Sequence, residues 1–184
     1  AGDGECTQAA EEDLSGAVSI VVSQPSLAAL ACVVALGAIL DLGIKVAAQT
    51  MLPAAEPVAI FAGLNLSLGY NPGIAFGLFP AQSGLAVMVT VALQLVVMTG
   101  LTVLLLRAGD AIVRYCYAAI LSGALGNLVD RVSTGAVTDY IDLYLGSWHW
   151  PTFNLADVII SFGVAGLIAR EVLVVKAASR SEGV

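Results

Sequence analysis

The sequence predicts a mainly α membrane protein: four transmembrane helices with a small extracytoplasmic, β-containing segment. Three observations carry this. Hydrophobic residues make up 59% of the 184 residues and charged residues only 11%, too few to clothe a soluble domain of this size. Four long apolar spans recur along the chain, each near the length a bilayer demands. Between the first two, the alternation Leu64-Asn-Leu-Ser-Leu68 has the period of two that marks a strand.

The first span runs from Ser26 to Gln49, with Asp41 and Lys45 in its last turns. The second, Ser83 to Leu106, lies in a stretch free of charge from Pro57 to Leu106. At 1.5 Å per residue it measures roughly 36 Å, enough to cross a bilayer with tilt. The third, Ala111 to Val129, and the fourth, Asn154 to Val175, are interrupted by polar residues, so hydropathy alone supports them less. Arg107-Ala-Gly-Asp110 makes a tight loop between spans two and three, whereas residues 50–82 and 130–152 are long connections. Pro53, Pro57, Gly69, Asn71-Pro-Gly73 and Pro80 punctuate the first of these. Tyr140, Tyr144, Trp148 and Trp150 in the second suit an aromatic belt where lipid meets water.

Four spans put both termini on one side. Arg107, Arg114, Arg170, Lys176 and Arg180 fall on that side, and only Lys45 and Arg131 on the other. Basic residues are retained in the cytoplasm. The termini are therefore expected inside, and the long connections with their polar motifs outside. The expected organisation is an acidic, disordered tail over residues 1–25, a four-helix membrane domain over 26–175 and a cytoplasmic tail over 176–184. The net charge of −7 argues against nucleic acid as a partner. Cys6, Cys32 and Cys116 have no metal-ligand spacing; the last two sit in apolar runs as small hydrophobes. No metal or other cofactor is expected.

In lipid an ionisable side chain is expensive and is usually kept for chemistry or transport. Asp41 and Lys45 are spaced i, i+4 on one helix face, either as an ion pair at a span's end, with Lys45 reaching toward the interface, or as a charged pair that buttresses a site or contacts a lipid head group. Asn71-Pro-Gly73 reads as a turn. Asn127, Asp130 and Arg131 lie at i, i+3 and i+4, where a structural Asp130–Arg131 clamp competes with a functional role. The small residues Gly123-Ala-Leu-Gly126 permit close helix approach. Asn154 and Asp157 suit an N-cap and its third residue. Capping leaves unexplained the second acidic cluster just before them, Asp139 and Asp142. His149, flanked by tryptophans, reads as interfacial.

Taken in order, these motifs resemble lipoprotein signal peptidase (signal peptidase II), a family of bacterial intramembrane aspartyl proteases. The resemblance rests on Asp41-x-x-x-Lys45, Asn71-x-Gly73-x-Ala75-Phe76, Gly123-Ala-Leu-Gly-Asn127-x-x-Asp130-Arg131, Val137-Thr-Asp139-Tyr-Ile-Asp142 and Phe153-Asn154-x-Ala-Asp157. Leu42 departs from the family, which usually has Gln there, and the acidic tail is unusual for a family that tends to be basic. The resemblance implies that Asp139 and Asp157 form a catalytic dyad. Asn71, Asn127, Arg131 and Asn154 then line or brace the site, Asp130 holds Arg131, and Asp41 with Lys45 supports the first span. It implies a small sheet and a lid-like helix within residues 50–82. The implied substrate is a diacylglyceryl prolipoprotein cut just before its lipidated cysteine, in the bacterial inner membrane among its lipids, with cyclic peptides of the globomycin type as inhibitors.

Two carboxylates close together in a poorly solvated place cannot easily both ionise, so such a pair keeps one proton and can activate water. A proton- or ion-coupled carrier would also use buried Asp, Asn and Arg. Its polar groups, however, would run through the bilayer, and here they gather toward one face. A non-catalytic anchor protein is a third reading. Cleavage of a lipidated precursor separates the three.

Overall fold

The computed structural model describes residues 24–54, 56–73 and 84–181. Among them are four helices long and apolar enough to cross a membrane: α1 (Leu27–Met51), α2 (Gly84–Arg107), α3 (Ala111–Thr134) and α4 (Leu155–Ser181). A four-stranded antiparallel sheet, β1 (Val58–Phe61), β2 (Leu64–Asn71), β3 (Val137–Leu145) and β4 (Trp148–His149), is arranged in chain order.

Local chemistry sets the helix ends. The Ser26 hydroxyl accepts from the Ala29 amide at 3.1 Å and opens α1. Asp110 accepts from the amides of Ile112 and Val113 at 2.8 and 3.0 Å and opens α3, satisfying donors that have no partner within the helix. Gly135, at φ 84°, closes α3, its amide bonded to the Arg131 carbonyl at 2.9 Å. The helices follow the expected spans and extend past some of them. Hydropathy marks where lipid contact ends, whereas α3 runs on through Asp130 and Arg131 and α4 beyond Val175, because polar residues can continue a helix out of the lipid.

The helix α3 is central, packed against α1, α2 and α4. Its glycines allow this. A Cβ on Gly123 would collide with the Ala156 carbonyl of α4, and one on Gly126 would lie 2.5 Å from Asp41 Oδ2 of α1. Leu30, Leu105, Ala118 and Leu121 form a buried apolar cluster among α1, α2 and α3, while Leu36, Ile39, Val96 and Phe162 face outward, as a lipid-facing surface requires.

The two ends of the bundle differ. At one end the Gln24 amide donates to the Gly109 carbonyl at 2.7 Å, and Arg170 pairs with Asp110 at 2.6 Å. The start of α1, the α2–α3 loop and the late part of α4 thus meet. At the other end stands the sheet, with Trp148 and Trp150 exposed and edge-to-face at 5.9 Å. Described residues 52–73 contain strands and no helix. The expected lid-like helix, insofar as it falls on residues 74–83, lies outside the described residues, as do Ala75, Phe76, Cys6 and most of the acidic tail.

Candidate active site

Where the sheet meets the bundle, polar side chains link in a continuous string. It begins on α1, where Lys45 is 1% exposed and Asp41 fully buried, with Lys45 Nζ 2.7 Å from Asp41 Oδ2. Such a cation is tolerable only if every donor finds a partner. Lys45 Nζ also donates to Asn127 Oδ1 at 2.6 Å and lies 3.8 Å from Asp130 Oδ2. Asp41 Oδ1 accepts from the Ala156 amide at 2.9 Å, tying α1 to the first turn of α4. Asp41 and Lys45 thus form the i, i+4 ion pair, buried and bonded to α3 and α4.

Asn127 passes the string onward. Its oxygen is taken by Lys45, so its amide nitrogen faces Asp157 and donates to Oδ1 at 3.0 Å. Asp157 Oδ2 accepts from the Asn154 backbone amide at 3.2 Å, and Asn154 Oδ1 accepts from the Asp157 amide at 3.1 Å. This reciprocal box caps α4. It leaves the Asn154 side-chain nitrogen free to donate to Asp139 Oδ1 at 2.6 Å, and Asn154 is fully buried. Capping and site-building are therefore one arrangement: the atoms of Asn154 that Asp157 does not use hold Asp139.

Asp139 comes from β3, and its position follows from strand geometry. Successive side chains on a strand point to opposite faces, so residues 139 and 142 face apart. Asp139 turns to the bundle. Asp142 turns away, with Oδ1 2.8 Å from His149 Nδ1 and Oδ2 accepting from Asn65 at 3.1 Å. The His149 bond is the main reason its carboxyl lies below the usual range. Asp139 behaves oppositely. Burial pushes its carboxyl up to about 6, the nearby Asp157 adds to this, and hydrogen bonds from Asn154 and Asn71 oppose it.

The third segment is the turn after β2. Asn71 Oδ1 accepts from the Gly73 amide at 2.9 Å, and Gly73 has φ 74°, a conformation glycine adopts without strain. A Cβ there would lie 3.0 Å from Arg131 Nη2 and 3.1 Å from Nε, so the turn rests directly on the guanidinium.

One expectation is corrected. Asp130 does not hold Arg131. Neighbours on a helix do not face each other, and the two diverge. Asp130 Oδ2 accepts from the Thr138 amide at 2.6 Å and lies near Lys45, which binds β3 to the end of α3. Arg131 Nη1 instead donates to Gln94 Oε1 on α2 at 2.7 Å. Sequence reasoning missed Gln94, although it is the one side-chain amide in α2. It also missed Gln49, whose amide donates to the Thr138 hydroxyl at 2.7 Å, and Tyr140, whose hydroxyl accepts from the Leu155 amide at 3.1 Å.

Beside Asp157 opens a cavity of about 470 Å³, lined by Leu143, Trp150, Phe153, Val158, Ser161 and Phe162 among others. Two carboxylates from different elements are thus linked through Asn154, and one of them, Asp157, borders the apolar recess.

A family model described as signal peptidase (SPase) II matches residues 33–173. A lipoprotein signal peptidase of Hydrogenovibrio crunogenus is 44% identical over 135 residues, covering 72% of this chain and 78% of that protein. Its counterpart in Blochmanniella pennsylvanica is 37% identical, covering 72% and 81%. A bacterial membrane enzyme solved by the in meso method at 1.9 Å superposes with a TM-score of 0.70 at 23% identity, over 80% of this chain and 94% of that one, which shows a common fold. The chain belongs to the signal peptidase II family of membrane peptidases.

Proposed function

We propose that this protein is an intramembrane aspartyl endopeptidase that removes the signal peptide from diacylglyceryl-modified prolipoproteins, cutting just before the lipidated cysteine. The observation that carries the reading is the pairing of Asp139 and Asp157 through Asn154, with Asp139 raised to about 6. A pair in which one carboxyl holds a proton and the other does not is the chemistry that peptide hydrolysis by water needs. The ionised partner takes a proton from water as its oxygen attacks the scissile carbonyl. The protonated partner donates to the developing oxyanion, and the proton taken from water goes to the leaving amine. No metal, cofactor or covalent enzyme intermediate enters this scheme.

Asn127 and Asn154 orient the two carboxylates, Asn71 adds a donor to Asp139, and Lys45 with Asp41 and Asp130 holds the frame. The apolar recess at Trp150, Phe153 and Phe162 suits acyl chains or the small residues before the cysteine. Membrane lipids surround the bundle, and cyclic peptides of the globomycin type are expected to compete for the same recess. Residues 26–175 form the peptidase domain, with an acidic tail before it and a short tail after it. Both termini are cytoplasmic and the dyad lies toward the outer face of the inner membrane, a reading supported by the gathering of basic residues at the end where Arg170 meets Asp110. Labelling of a cysteine placed at Ser147 from the cytoplasmic side alone would refute that orientation.

The test of the activity is cleavage of a purified diacylglyceryl prolipoprotein, followed as a mobility shift. The parent protein should convert it, and Asp139→Asn and Asp157→Asn should not while remaining folded. Turnover near normal in either variant refutes the dyad.

A further inference from the structure

We infer that Gln94 is a positioning residue for the reaction: it fixes the plane of the Arg131 guanidinium beside the two aspartates. This inference rests on the peptidase reading above.

Gln94 is held at both ends. Its oxygen accepts from Arg131 Nη1 at 2.7 Å, and its nitrogen donates to the Ala124 carbonyl of α3 at 2.7 Å. A flipped amide would set its nitrogen against a guanidinium and its oxygen against a carbonyl, so only one orientation works. An amide in an apolar span is costly unless both ends are satisfied, and here both are. Thr90, one turn earlier on α2, shares this face and lies with Arg131 against the Gly73 turn. The guanidinium is therefore wedged between α2 and that turn.

The acceptor is neutral, and this matters. The acidic groups around Arg131 are Asp130 of its own helix, Asp139 of β3 and Asp157 of α4. Each is bonded elsewhere: Asp130 to the Thr138 amide, Asp139 to Asn154, and Asp157 to Asn127 and Asn154. Lys45 is turned to Asp41 and Asn127. Among the described residues no carboxylate lies within ion-pair distance of Arg131, and its Nε is buried without a partner. A neutral clamp keeps the full positive charge directed at the dyad while stopping the arginine from collapsing onto either aspartate. Loss of the clamp frees Arg131 to pair with Asp139 or Asp157, which favours the ionised carboxylate and removes the shared proton.

The experiment is steady-state cleavage of a diacylglyceryl prolipoprotein in detergent over a pH series, with Gln94→Met and Gln94→Glu. Gln94→Met keeps the shape and deletes the clamp. Its kcat should fall by about tenfold or more with KM within about twofold, a loss of the size expected for a hydrogen bond to a charged group. Both limbs of its pH profile should move to lower pH, the alkaline limb reporting the earlier loss of the shared proton. Gln94→Glu keeps an acceptor for Arg131 but cancels part of its charge, so both limbs should move to higher pH. Opposite displacements support the inference. Unchanged limbs with only a lowered melting temperature would make Gln94 a plain packing residue and overturn it. Should Gln94→Met not fold, Gln94→Glu alone decides by the same criterion. Asp139→Asn and Asp157→Asn run in parallel: cleavage surviving in them counts against the dyad, whereas their inactivity beside an unaltered Gln94→Glu counts against the clamp alone.

Discussion

Asn154 donates from its side-chain nitrogen to Asp139 Oδ1 at 2.6 Å. Because its oxygen caps α4 at the Asp157 amide, the donor cannot rotate away without uncapping the helix. That bond favours the charged form of Asp139 and opposes the upward push of burial. Asn154→Ala should therefore raise the Asp139 carboxyl further above about 6, moving the alkaline limb of the cleavage profile, where the shared proton is lost, to higher pH and lowering kcat. Loss of the cap should cost about 1 kcal/mol besides. A variant with an unmoved alkaline limb would show that the contact carries no electrostatic weight.

The raised Asp139 carboxyl has a consequence for stability. The folded protein binds this proton up to about pH 6, whereas the unfolded chain releases it near 3.8. Between those values the native state holds more protons, so the Asp139 contribution becomes destabilising as pH rises through the window. Asp139→Asn removes the buried charge. It should melt at a higher temperature than the parent at about pH 8, with the gap closing toward about pH 4. Melting curves that keep the parent's pH dependence would contradict the burial assigned to Asp139.

Strand parity separates the aspartates of β3. Asp157→Asn should lower turnover at least about a thousandfold, because members of a pair acting as one unit fail together. Asp142→Asn should retain most activity, since Asp142 faces His149 and Asn65. Single-site kinetics on a lipidated precursor, with folding checked separately, measures both. A dead Asp142→Asn beside an active Asp139→Asn would mean that β3 presents its other face to the substrate.

Close packing of α1 on α3 depends on Gly126. A Cβ at this position would meet Asp41 Oδ2 at 2.5 Å and Asp41 Cβ at 3.3 Å, and Asp41 is fully buried. Gly126→Ala should cost about 1 to 3 kcal/mol, as overpacking does. Gly100 has open space where its Cβ would go, so Gly100→Ala should be neutral or slightly stabilising. Thermal unfolding in detergent compares them, and equal shifts would indicate that α1 can retreat from α3 freely.

The helices were legible because lipid imposes one rule on length and apolarity, and α2 obeys it over its whole extent. Asn127, Asn154 and Asp157 stood out for a related reason: polar groups in an apolar chain are few. What the residues could not disclose was direction. Asp130 and Arg131 are adjacent in sequence, which invites a pairing that helix geometry forbids, and the true partners are the Thr138 amide of the strand that follows α3 and Gln94 of α2. Gln94 left a signal, a lone amide in α2, but its meaning required the register of α2 against α3. Asp139 and Asp142 were separable in principle by strand parity, once residues 137–145 are known to be extended.

Lys45 and Asp41 offer the most demanding test of the frame. Lys45 Nζ meets Asp41, Asn127 and, at 3.8 Å, Asp130, and Lys45, Asp41 and Asp130 are all buried. Removing one member of a buried pair strands the other, whereas removing both lets apolar packing replace them. Lys45→Met should therefore cost about 3 to 5 kcal/mol, and Lys45→Met with Asp41→Leu distinctly less than the sum of the single losses. Activity should follow a different pattern. The double variant, though stable, loses the cation that fixes the Asn127 amide, so its turnover should stay low. Unfolding in detergent and cleavage of a lipidated precursor, measured on the same three preparations, separate the two roles. Recovery of full turnover in the double variant would mean that Lys45 serves stability alone and that Asn127 needs no help in orienting Asp157.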